Sequence, residues 1–162
     1  MSDESLSPPV QPRVATGRTV ARLGRQVEIA LARVDLTTAQ YRVLVQLGEG
    51  AEASSSLAAK LAVSRPSATA VVEGLVQRAL VDRRHSDEDR RRVSVSLTEA
   101  GRQVLAEADQ VVSEKLGELL GVISPRQAQQ AVNGITHWGM AMDANKARKR
   151  ATADPARPMA AL

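Results

Sequence analysis

The apolar positions of the chain fall into six stretches with helical spacing and one with strand spacing. Val20, Leu23, Val27, Ala30, Leu31 and Val34 recur at steps of three and four, which places them on one side of a helix. Thr37 and Gln40 then have the spacing of a reciprocal N-terminal cap, with Leu36 and Tyr41 set to pack across it. The helix they open is predicted over Thr38 to about Leu47, ahead of Gly48 and Gly50. Residues 54–61 form a short helix begun by serines, its cap falling on Ser54 or on Ala53, the poorer cap. After a tight break, Ser64 caps a further helix with Pro66 in its first turn, and Ala68, Val72 and Leu75 define its buried side. Two helices joined by so short a turn make a helix-turn-helix pattern.

The period then changes. Leu80–Arg83 and Val93–Leu97 read as two strands, the second with clean alternation, around a polar segment running from Arg84 to Arg92. This predicts a β-hairpin wing attached to the second helix of the pair, with Arg90 and Arg91 at or near its tip. From Thr98 the helical period returns through Leu105, Ala108, Val112, Leu116 and Leu119 to about Leu120. Ser124, Pro125 and Gln127 restart a helix, whose apolar side is Ala128, Val132, Ile135, Trp138 and Met142, to about Lys146. So short a connection predicts antiparallel packing of these last two helices. The fold class expected is mainly α with a small β-hairpin wing: a winged helix-turn-helix domain plus N- and C-terminal helices for dimerisation.

Composition narrows the function. No apolar run in the 162 residues is long enough to span a bilayer, and residues 1–12, with Asp3, Glu4 and three prolines, lack the apolar centre of a secretory signal. Those twelve residues read as a disordered arm, residues 147–162 as a basic, disordered tail, and a cytoplasmic location without membrane partners is expected. The absence of cysteine excludes disulfides, thiolate metal sites and thiol redox sensing. Tyr41 and Trp138 are the only aromatics, so the core must be aliphatic, which favours packed helices. His85 and His137 stand far apart with no carboxylate at metal-ligand spacing, and neither a GxSxG elbow nor a P-loop is present. No metal, cofactor or enzymatic activity is therefore expected. The net charge of +4 is a weak sign of a polyanionic partner, because residues 1–12 are acidic and much of the basicity lies from Lys146 onward.

From about residue 36 to 101, without a gap, the chain resembles the MarR family of winged-helix transcription regulators. The residues that carry the resemblance are Leu36 and Thr37; Leu57 and Ala58; Val63, Ser64 and Pro66; Leu75 and Leu80–Arg83; Asp89, Arg90 and Arg91; and Leu97, Thr98 and Gly101. One departure is Ala79, where the family usually has glycine, at a helix end that favours positive φ. The resemblance implies that Arg91 enters the minor groove with Asp89 orienting it. It also implies a two-fold homodimer reading a palindromic site, and a small effector, often aromatic or phenolic, bound between the dimer helices and the DNA-binding lobe.

Residue chemistry fills in the expected contacts. Opposite the buried side of the second helix lie Pro66, Ala70, Glu73 and Gln77, flanked by Ser67 and Thr69. The N-terminal half of this face is set to enter a major groove. Arg65 can reach phosphate or a guanine edge, Ser67 and Thr69 base edges or phosphates, and Pro66 and Ala70 thymine methyls. With side chains this short, part of the specificity is expected from DNA shape. Ser55, Ser56 and Lys60 are candidate phosphate contacts. A winged core cannot cover every apolar helix face, so Val20, Leu23, Val27, Leu116, Leu119, Val132, Ile135 and Trp138 are expected at a dimer interface, Trp138 as packing rather than as a ligand platform. The expected domains are a lobe at about 37–100 and dimerisation helices at about 13–34 and 98–146. The expected function is a homodimeric repressor released from a double-stranded, palindromic DNA operator by a small-molecule effector, whose binding residues the sequence does not assign. The alternative is a winged-helix protein-interaction module that does not read DNA.

Overall fold

The structure, a computed structural model, describes residues 14–50, 52–61, 63–85 and 93–153. Among the described residues six α-helices and three short strands follow one another: α1 (Val14–Leu31), α2 (Thr38–Gly48), β1 (Glu52–Ala53), α3 (Ser54–Leu61), α4 (Arg65–Gln77), β2 (Val81–His85), β3 (Val93–Leu97), α5 (Glu99–Leu120) and α6 (Pro125–Ala153). The expected arm and the end of the expected tail, from Asp154, lie outside the described residues.

The chain divides into two compact units, residues 1–116 and 117–162. In the first, α1 ends in a 3-10 turn at Ala32–Val34, and Asp35, in the left-handed region at φ 52°, turns the chain into α2. The predicted capping box is present: Thr37 Oγ1 accepts the Gln40 N–H at 3.2 Å and Gln40 Oε1 accepts the Thr37 N–H at 2.9 Å. Leu36 is buried and Tyr41 packs half-buried against the same core. That core is aliphatic, as the composition requires, with Leu31, Val43, Leu44, Leu57, Val72, Leu75 and Val95 fully buried.

The strands form one antiparallel sheet of order β1-β3-β2. β2 and β3 pair from Val81 with Leu97 to His85 with Val93, which turns Val81, Val95 and Leu97 toward the helices. The sequence pattern does not predict β1. It pairs Glu52 with Val95 and Ala53 with Ser94, and two residues are too few to display a period. Because α3 opens at Ser54, the position before it is Ala53, whose carbonyl accepts the Ser56 hydroxyl at 2.8 Å.

The second unit contains the last turn of α5, a tight turn and α6. Ser124 and Gln127 form the predicted reciprocal cap, with Gln127 Oε1 accepting the Ser124 N–H at 3.1 Å and Ser124 Oγ accepting the Gln127 N–H at 3.4 Å. The sequence predicts that α6 ends near Lys146, yet it continues to Ala153. Alanine, lysine and arginine are strong helix formers, and nothing before Pro155 interrupts them.

Candidate nucleic-acid interface

The recognition surface is built on α4, and both of its ends are fixed by identifiable contacts. At the start, Ser64 is extended (φ −65°, ψ 151°) and its Oγ accepts the Ser67 N–H at 3.2 Å, while the two hydroxyls lie 2.7 Å apart and share a hydrogen bond. Pro66 sits in the first turn, where a missing N–H leaves no bond unmade. At the end, Ala79 takes the left-handed conformation at φ 56°; its N–H donates to the Val76 carbonyl at 2.9 Å and the Leu80 N–H to the Leu75 carbonyl at 3.0 Å. This is a Schellman closure with the usual apolar contact, since Leu75 and Leu80 are both buried in the core. The departure at Ala79 therefore leaves the cap intact, at the cost of placing a Cβ where glycine has none.

The wing is locked onto this end. Thr98 Oγ1 donates to the Ala79 carbonyl at 2.7 Å and accepts the Gly101 N–H at 3.0 Å, and the Thr98 N–H donates to the Leu80 carbonyl at 3.1 Å. A Cβ at Gly101 would lie 2.0 Å from the Leu80 oxygen, so only glycine lets α5 start this close to the recognition helix. Arg78 adds a tie to the chain reversal before α2, donating to the Asp35 carbonyl at 2.6 Å.

Held this way, α4 buries Ala68, Val72 and Leu75 and exposes Arg65, Pro66, Ser67, Thr69, Ala70, Glu73 and Gln77. The structure thus gathers the five predicted α4 residues on one open face. Of the predicted phosphate contacts, Ser56 is half-buried with its hydroxyl on the Ala53 carbonyl, Lys60 is half-buried, and the Ser55 side chain lies outside the described residues. Asp89, Arg90 and Arg91 also lie outside them. The hairpin base supplies a cation the sequence reading does not single out: Arg84, 78% exposed and 3.2 Å from Asp82. Strand alternation could have found it, because Asp82 and Arg84 fall on the face opposite Val81.

Two contacts position this face. Arg42 of α2 donates to the Leu61 carbonyl, holding α3 in place beside α4. Tyr41 donates to Asp109 Oδ1 at 2.6 Å and so ties α2 to α5; burial first, then the hydrogen bond and charge of Asp109, push its pKa up to about 12. A hollow of about 70 Å³ lies among Arg42, Val43, Leu61, Ser67 and Val71, well below the volume of an organic-ligand pocket. Among the described residues no group of three metal-ligating side chains occurs, and no helix is long and apolar enough to cross a membrane.

The MarR family model matches residues 34–92, from the chain reversal before α2 to the residue before β3. YfiV, an HTH-type transcriptional regulator of Bacillus subtilis, is 30% identical over 112 residues, 68% of this chain and 70% of its own length. The chain belongs to the MarR family of transcriptional regulators. An HTH-type transcriptional regulator of Mycobacterium tuberculosis is 32% identical over 65% of this chain and 74% of its own. The structure of the transcriptional repressor CouR bound to a 23-mer DNA duplex superposes with a TM-score of 0.65 at 29% identity, over 76% of this chain and 87% of that one.

This MarR-family protein is thus a DNA-binding transcription regulator of winged-helix fold. Of its expected dimer residues, Val20, Leu119, Val132, Ile135 and Trp138 are exposed, while Leu23, Val27 and Leu116 are half-buried, Val27 against the chain's own core.

Proposed function

We propose that this regulator is a cytoplasmic, homodimeric repressor that reads a palindromic duplex operator with α4 and the wing and leaves it when a small molecule binds. The observation that carries the reading is the open face of α4. Arg65, Pro66, Ser67, Thr69 and Ala70 are exposed on a helix whose other side is held in the core. A helix presented in this way fits the major groove, with its N-terminal residues against base edges. Arg65 takes phosphate or a guanine edge, the two hydroxyls base edges or phosphates, and Pro66 and Ala70 thymine methyls. Arg91 enters the adjoining minor groove with Arg90 beside it near the wing tip, Asp89 orients Arg91, and Ser55, Ser56 and Lys60 lie along the backbone.

The dimer is supported by exposed apolar side chains on both sets of helices: Val20 is 60%, Ile135 57% and Trp138 53% exposed. A second copy would cover the helices at about 13–34 and 98–146 and set two lobes, each at about 37–100, one helical turn apart on DNA. The repressor role is supported by CouR, named a transcriptional repressor and bound to duplex DNA. Effector release rests on the family resemblance; such coupling is reciprocal, so operator DNA would weaken effector binding as the effector weakens DNA binding.

A mobility-shift titration at fixed salt tests the reading. Arg91→Ala should weaken operator binding by about 1–3 kcal/mol. Unchanged affinity would remove the wing from the mechanism, and equal affinity of the wild type for operator and scrambled duplex would remove sequence reading altogether.

A further inference from the structure

We infer that the C-terminal end of α6 is a second, sequence-independent DNA contact: its cations grip the phosphate backbone of the duplex whose bases α4 reads. The inference rests on the proposed reading of α4. Lys146, Arg148 and Lys149 are all exposed, and Arg150 continues the run in sequence. Asp143 is the sole acid of α6, and among the described residues none of the ion pairs involves α6. Arg148 donates instead to a neutral side chain, Asn145 Oδ1, at 3.2 Å.

Two simpler roles do not account for this cluster. The helix dipole favours cations in the last turn, but Lys146, Arg148 and Lys149 stand a turn or more before Ala153. Nor is this end a face for apolar docking. At 100° per residue, Lys149 lies about 60° and Arg148 about 160° around the helix from Lys146 in the same sense, so the three cations spread over nearly half of the circumference. The large apolar side chains of α6 stop at Met142. A surface of this kind meets water or a polyanion.

Duplex DNA is the polyanion that the chain's own charge distribution calls for. Phosphate neutralisation supplies most of the sequence-independent affinity of a DNA-binding protein. Yet α4 carries one cation, Arg65, and one acid, Glu73, and α3 carries Lys60 alone. The helix pair that reads bases is nearly neutral, and the densest run of charge outside the wing is at the end of α6. Joining the two in one chain raises the local concentration of phosphate at the basic end whenever α4 is bound.

The test compares the full-length wild type with a variant carrying Lys146→Gln, Arg148→Gln, Lys149→Gln and Arg150→Gln. Binding to an operator duplex recovered from a random pool, and to a scrambled duplex of equal length, is measured across a salt series. The neutral variant should lose affinity for both duplexes by a common factor of about ten, and the slope of log K against log salt should fall by about 0.9 for each phosphate that the cations no longer neutralise. Its ratio of operator to scrambled affinity should stay that of the wild type, which also reports an intact lobe. A charge-preserving variant, Lys146→Arg with Arg148→Lys, Lys149→Arg and Arg150→Lys, should keep the wild-type slope. An unchanged slope in the neutral variant overturns the inference. So does an unchanged slope accompanied by loss of binding to phosphatidylserine vesicles, which would assign the basic end to a membrane. A wild-type ratio near one would instead overturn the operator reading, and is told apart because it is seen without any substitution.

Discussion

The two units of the chain differ in whether they hold a core of their own. Residues 14–116 bury one, in which Leu31, Leu44, Leu57 and Leu75 are at 0% exposure, while α1 leaves Val14 and Val20 exposed. In α6 no described residue is buried, and Ile135, Trp138, Met140 and Met142 are each more than half exposed. The first unit holds its reading helix in one position with its own core. The second has an apolar stripe that no described residue of the same unit buries, which is what supports the proposed second copy. Under the proposed reading, the fixed position of α4 and the contact with a second copy are thus encoded largely in separate parts of one sequence.

Substitutions can break this contrast. The largest effect is expected at the junction of α4 and α5, where Gly101→Ala forces a Cβ onto the Leu80 carbonyl and should cost about 3 kcal/mol in urea unfolding. A neutral outcome there would show that the lobe is looser than its contacts imply. In α6, Ile135→Asp or Trp138→Asp should leave the fold of the first unit intact but weaken self-association by about 2 kcal/mol, read by sedimentation equilibrium. Unchanged association would place the dimer contact elsewhere.

Smaller changes sharpen the picture of the reading head. Tyr41→Phe removes the bond to Asp109 and should lower stability by about 1 kcal/mol at neutral pH. The folded state raises the pKa of this phenol from 10.0 to about 12, so the stabilisation is complete below pH 10 and is lost as pH rises toward 12. The gap between wild type and Tyr41→Phe should close over that window in unfolding measured against pH. Ala79→Gly should stabilise by under about 1 kcal/mol, since it relieves the left-handed alanine while loosening the unfolded chain.

The elements legible in the sequence are those with local signals. Thr37 with Gln40 marks the start of α2, Ser64 with Pro66 the start of α4, and the spacing of Ala68, Val72 and Leu75 the side that α4 buries. The alternation of Val93–Leu97 marks β3 at its observed limits. What stays hidden depends on contacts distant in sequence or on too few residues. The Tyr41–Asp109 bond joins positions 68 apart with no pattern between them, and β1 exists only because Glu52 and Ala53 meet β3. Gly101 is legible as part of a motif, but the reason for it, a backbone carbonyl in the place of a side chain, appears only in three dimensions. The end of α6 lies beyond its expected limit because a run of cations has the look of a tail, although its residues favour helix.

The central claim is that two copies present two α4 faces to one duplex. Selection of bound sites from a random duplex pool, followed by footprinting of the purified protein on the enriched site, tests it most directly. The account predicts an inverted repeat whose half-site centres lie about one helical turn, roughly 10 base pairs, apart, with both halves protected together. Enrichment of a single half-site, or no enrichment over the starting pool, would contradict it.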